Sequence, residues 1–108
     1  MRLTDKEMEI MSVLWESEIP MTASEIIETS SSRTWQENSI YIIMNTLIKK
    51  GAVVLTYHKP TNTKSARAYK PTLTSEEYMV ATIGSMRETG IRVDIPTLIR
   101  RLKETEEG

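Results

Sequence analysis

The sequence predicts a mainly α-helical fold with one small β-hairpin, and three observations predict it. A helix-start pattern, Thr followed three residues later by Glu, occurs at Thr4/Glu7, Thr22/Glu25, Thr34/Glu37 and Thr74/Glu77. In such a capping box each side chain satisfies a backbone N–H that the new helix leaves unpaired. Apolar residues then recur at helical spacing behind these starts. After Gly51 the period changes from helical to two, in a stretch rich in β-branched and aromatic residues.

The first helix is predicted from about Asp5 to Ser17, with Met8, Met11, Leu14 and Trp15 on one face. Such a Met and Trp stripe is core packing material. Leu3 with Met8 staples the Thr4 cap from either side, and Met21 with Ile26 and Leu73 with Tyr78 do the same for two of the other three starts. Pro20 closes the connection to a second helix at about 23–29, with Ile26 and Ile27 inward. Residues 29–33 are a short polar turn. A third helix is predicted from about Trp35 to Lys50, burying Ile40, Ile43, Met44, Leu47 and Ile48, and Gly51 stands where a C-terminal cap belongs. Residues 52–57 and 66–70 are the hairpin strands, with loop chemistry at 60–65. A fourth helix, about 75–89, breaks at Gly90. A fifth, about 95–103, has Asp94 as N-cap and Pro96 in its first turn.

The formal charge of the 108 residues is −1, but it is unevenly spread. Residues 1–32 sum to −5, residues 33–71 to +6 and residues 72–108 to −2. Either the central Lys and Arg merely solvate the hairpin, or they are the footprint of a surface that meets a polyanion. A positively charged hairpin behind a helix-turn-helix is the winged-helix arrangement, in which the third helix enters the major groove and the hairpin lies on the sugar-phosphate backbone. On that reading residues 1–73 are a winged-helix DNA-binding domain. The remaining helices carry apolar stripes, Met79, Ile83 and Met86 on one and Ile95, Leu98, Ile99 and Leu102 on the other. Stripes of this kind need cover. Residues 74–108 are therefore predicted to be a homodimerisation region, the alternative being that they fold back on their own domain.

Composition narrows the function classes. Hydrophobic residues at 39% and charged residues at 27% place the chain among globular proteins, not disordered tails. No apolar run is long enough to span a bilayer, and the first residues show no secretory h-region, so a cytoplasmic address without membrane contact is expected. With no Cys and the single His58, neither a metal site nor a cofactor is expected. An enzyme is not expected either: there is no nucleophile–base pair and no phosphate-cradling glycine loop. The acidic pairs Asp5/Glu9 and Glu16/Glu18 read as solvated helix faces.

Several stretches carry a resemblance. They are Leu3-Thr4-Asp5-Lys6-Glu7-Met8-Glu9-Ile10-Met11 with Leu14-Trp15, Pro20-Met21-Thr22-Ala23-Ser24-Glu25-Ile26, and Trp35 ahead of the third helix. Asn45, Leu47-Ile48-Lys49-Lys50-Gly51, Ala68-Tyr69 and Ser75-Glu76-Glu77-Tyr78 continue it. In these the chain resembles the bacterial penicillinase-repressor family, which includes β-lactamase, methicillin-resistance and copper-homeostasis repressors. The resemblance implies a homodimeric transcriptional repressor whose winged helix binds a palindromic operator and whose C-terminal helices hold the dimer. It also implies that Gln36, Asn38, Ser39, Tyr41, Ile42, Asn45 and Thr46 face the DNA. Family members typically place Lys or Arg at several of these positions, whereas this helix is uncharged from Asn38 to Ile48. The family's two familiar signals do not carry over, because a Cys-rich copper motif and a cleavable Asn-Phe bond both need residue types this chain lacks.

An uncharged helix can still read bases. Gln36, Asn38 and Asn45 can hydrogen-bond adenine edges, Ser39 can reach a base or a phosphate, and Tyr41 can pack on a thymine methyl or meet a phosphate. That favours an A·T-rich site. Attraction to phosphate would come from Arg33, Lys49, Lys50, Lys59, Lys64, Arg67 and Lys70. The competing reading of the same helix is a winged-helix protein-interaction module with weak, non-specific DNA binding, for which exposed Tyr41 and Ile42 would be the contact.

Overall fold

The computed structural model describes residues 1–60 and 65–107. Its elements follow in the order α1 (Asp5–Glu16), β1 (Met21–Thr22), α2 (Ala23–Thr29), a 3-10 turn (Glu37–Ser39), α3 (Ile40–Lys50), β2 (Val53–Pro60), β3 (Ser65–Pro71), α4 (Ser75–Glu88) and α5 (Ile95–Glu107). The fold is mostly helical with a small antiparallel sheet, as the periodicities predict.

Three of the four predicted capping boxes form. Thr4, Thr22 and Thr74 each accept the backbone N–H of the Glu three residues on, and that Glu accepts the N–H of the Thr. The fourth does not. Instead of a helix running from Trp35, Gln36 precedes a 3-10 turn without any side-chain cap bond, and the α-helix starts at Ile40. Glu9 of α1 accepts the Thr34 N–H at 2.9 Å, the donor that Glu37 would take in a capping box, and it also accepts the Thr34 hydroxyl at 2.5 Å, which turns that side chain towards α1. At the far end of α3, Gly51 sits at φ 80°, a left-handed conformation open to glycine without strain, and its N–H closes the helix on the carbonyls of Ile48 and Leu47.

The sheet has one strand more than the hairpin. Its order is β1-β3-β2, with Met21 opposite Tyr69 and Thr22 opposite Ala68. The two-residue β1 ends in the residue that caps α2, so one Thr22 both pairs with the wing and starts a helix. Strands β2 and β3 are longer than the sequence pattern, and their register shifts between Thr56 and Lys59. Helices and sheet share one core: Ile10, Met11 and Leu14 of α1, Ile26 of α2, Ile40, Met44 and Leu47 of α3, Val53 of β2 and Tyr69 of β3 are all buried. Burial of such side chains at about 1.5–3 kcal/mol each is what fixes α3 against the scaffold.

The C-terminal helices relate to this core differently. The first turn of α4 is fastened to it: Tyr78 stacks on Trp15 at 5.8 Å, its hydroxyl accepts the Leu3 N–H, and the Trp15 indole donates to the Leu73 carbonyl at 2.9 Å. Beyond Tyr78 no described residue of α4 or α5 is buried. Gly90 at φ 96° turns the chain between them, and the Asp94 carboxylate accepts from the N–H and hydroxyl of Thr97 to open α5. The consequence is an elongated molecule, with a radius of gyration of 16.3 Å, against about 13 Å for a compact chain of this length.

Candidate nucleic-acid interface

The position of α3 follows from its two faces. Ile40, Met44 and Leu47 point into the core, which leaves Asn38, Tyr41, Ile42, Asn45 and Lys49 exposed. Positions 38, 42, 45 and 49 lie three or four residues apart, so they form one stripe along the helix. Gln36 is exposed just ahead of it, and Ser39 and Thr46 are half-buried at its edges. Thr46 gives its hydroxyl proton to the Ile42 carbonyl at 3.0 Å. Tyr41 and Ile42, neighbours in sequence, are 61% and 71% exposed and form an apolar step beside the amides.

The root of the wing lies beside this stripe. Tyr69 of β3 is buried, and burial pushes its phenol above the ordinary value; neighbouring Tyr41 pushes it the same way, while Arg67 opposes. Tyr41 of α3 thus lies within electrostatic reach of Tyr69, and it is β2 that packs along α3. Arg67 and Lys70 are exposed on β3 and Lys49 at the end of α3. Lys64 and the side chain of Lys59 lie outside the described residues.

Two of the predicted cationic positions have work inside the domain. Arg33 donates to the carbonyls of Ile27 and Ser30 at the end of α2, both at 3.4 Å, stacks 5.3 Å from the Trp35 ring and pairs with Glu37 at 3.8 Å. Lys50, expected to add to phosphate attraction, is diverted to the start of α1, where its ammonium donates to Glu7 at 2.5 Å and to the Arg2 carbonyl at 2.9 Å. Burial pushes the Glu7 carboxyl up, but the Lys50 bond and charge and the Thr4 bonds outweigh it and hold Glu7 below the usual carboxylate range.

Sequence reasoning missed the Glu9–Thr34 clasp. The two Thr34 bonds hold the Glu9 carboxyl below its ordinary value, against a small opposing effect of desolvation. A signal was present: the Thr34 box alone lacks a staple, since Arg33 and Asn38 stand where apolar residues flank the other three. Trp35, directly after Thr34, is buried with its indole N–H unpartnered, and it plugs the segment into the core. Among the described residues no cluster of His, Asp or Glu could hold a metal ion, and no helix is long and apolar enough to cross a membrane.

Comparison with known proteins bears on this arrangement. A family model described as penicillinase repressor matches residues 3–107. A penicillinase repressor of Bacillus licheniformis is 32% identical over 78 residues, which are 72% of this chain and 57% of that protein, so the chain spans little more than half of that relative. The solution structure of the monomeric form of Bacillus licheniformis BlaI, in complex with the blaP half-operator, is similar at a TM-score of 0.53 and 28% identity. The match covers 87% of this chain and 94% of that one. The Helicobacter pylori ferric uptake regulator Fur, 16% identical at a TM-score of 0.52, has a similar fold over 87% of this chain and 73% of its own.

Proposed function

Since the chain belongs to the penicillinase-repressor family, we propose that it is a transcriptional repressor that binds a palindromic operator sequence-specifically as a homodimer. The observation that carries the reading is the exposed stripe of α3, with its amides Asn38 and Asn45, on a winged-helix scaffold similar to one solved on a half-operator. Gln36, Asn38 and Asn45 supply amides for adenine edges, and Ser39, Tyr41, Ile42 and Thr46 complete the contact. Lys49, Lys59, Lys64 and Arg67 supply phosphate attraction, joined by Arg33 through the guanidinium donors it does not give to α2. Residues 1–73 are the DNA-binding unit and residues 74–108 the dimerisation unit. In support of the latter, Met79, Met86, Ile95, Ile99 and Leu102 are exposed, and Ile83 and Leu98 are half-covered at the edge of the same stripes. Pairing these faces about a two-fold axis would present two copies of α3 to two half-sites, which is why the operator is expected to be palindromic.

The test is fluorescence anisotropy of the protein on duplex from its own upstream region and on random duplex, across a salt series. Preference for the upstream duplex with a steep salt slope is the expected result. The large exposure of Tyr41 and Ile42 favours a second reading, a winged-helix module that binds another protein through α3. Weak binding blind to sequence, together with a stable protein partner lost on Ile42→Glu, would establish that reading in its place.

A further inference from the structure

The residues that lead into the reading helix are held from outside it. Gln36 makes no side-chain cap bond and α3 opens as a 3-10 turn, so the first backbone donors of this helix receive no side-chain cap of their own. The buried side chains from Ile40 onward seat the body of α3, while the exposed segment ahead of it, Gln36 to Asn38, depends on anchors in the preceding turn. Among the described residues there are three: the buried Trp35, Arg33 bonded to the end of α2, and Thr34, whose hydroxyl and N–H both go to Glu9. The clasp is the anchor that ties the turn to α1, twenty-five residues away. Asn38 follows Thr34 by four residues, so a swing at Thr34 is passed directly to the base-facing amides.

We propose that Glu9 is a positioning residue for base reading: through Thr34 it fixes where Gln36, Asn38 and the exposed stripe of α3 stand relative to the body of the domain. The inference rests on the DNA-binding reading above. Hydrogen bonds to base edges are lost within a few tenths of an ångström beyond about 3.5 Å, and a site is accurate only when its supporting contacts hold it to about 0.5 Å. The clasp itself is exposed. Exposed hydrogen bonds contribute little to net stability, because water replaces them when they break. Glu9 and Thr34 therefore act on where the helix points more than on whether the domain folds.

The experiment takes a duplex selected from a random pool by the full-length protein and measures affinity for it and for a scrambled duplex. The variants are Glu9→Ala, Thr34→Val, the double variant and Thr34→Ser. Each of the first two is expected to lower the selected-to-scrambled ratio about tenfold, the scale of one lost base contact, with an unchanged thermal midpoint. The double variant should fall no further, since both break the same clasp, and Thr34→Ser, which keeps the hydroxyl and the N–H, should restore the ratio. Unchanged ratios in both single variants overturn the inference and leave the DNA-binding reading standing. Additive losses overturn it too, because Glu9 would then act by its charge alone. A wild-type protein that selects no duplex removes the DNA-binding reading and this inference with it.

Discussion

Replacing Glu7 by Gln isolates one charge at the place where α1, the N-terminal residues and α3 are tied together. The Glu7 side chain is 5% exposed, and its Oε1 accepts both the Thr4 N–H at 2.8 Å and the Lys50 ammonium at 2.5 Å. Gln keeps an oxygen for the cap, so the loss is the difference between a charge-assisted and a neutral hydrogen bond. That difference is about 1–2 kcal/mol, towards the low end here because water still reaches Lys50. For a chain of this size it corresponds to a fall of roughly 5–10 °C in the melting temperature. The pH dependence has a definite sign. The folded Glu7 carboxyl titrates below its unfolded value, so its stabilisation is complete above about pH 4.3, the ordinary Glu value, and is lost as pH falls through the lower folded value. Circular dichroism melts of both proteins at one concentration, at pH 7 and through the acid range, are the assay. The gap should be present at pH 7 and close in acid. A Gln variant as stable as wild type at pH 7, or a gap that persists unchanged in acid, would refute this account of the Lys50–Glu7 pair.

Three further outcomes follow from the proposed interface. Asn45→Ala should weaken binding at one base position by about 1–3 kcal/mol in a competition series of single-base operator variants, with random duplex unaffected. Arg67→Ala should weaken all sequences alike and reduce the slope of log affinity against log salt by about one; an unchanged slope places the wing off the backbone. Leu102→Glu, at an exposed position of α5, should shift the protein towards monomer in sedimentation equilibrium while leaving the winged domain folded, and a variant that stays dimeric moves the interface elsewhere.

What was legible in the sequence was what local chemistry decides. The starts of α1, α2 and α4 were legible because a capping box and an apolar staple agree at each. At Thr34 the box stood without a staple, and a contact from α1, invisible to any local pattern, took the cap away. Strand β1 was hidden because its two residues are also the entry and cap of α2, too short to show a period. The exposed stripe of α3 was legible because Ile40, Met44 and Leu47 fix its opposite face. The diversions of Arg33 and Lys50 were not, since each depends on groups brought close only by folding: the end of α2 and Trp35 for one, Glu7 and the Arg2 carbonyl for the other.

Whether Asn38, Ile42 and Asn45, the uncharged part of the α3 stripe, read bases is decided by amide chemical-shift mapping of isotope-labelled protein titrated with its selected duplex. The shifts should concentrate at Gln36, Asn38, Ile42 and Asn45, with a second group at Arg67 and Lys70 on β3, and the side-chain amides of Asn38 and Asn45 should move with the identity of the base. Shifts confined to β3 and Lys49, equal for selected and scrambled duplex, would contradict base reading by α3.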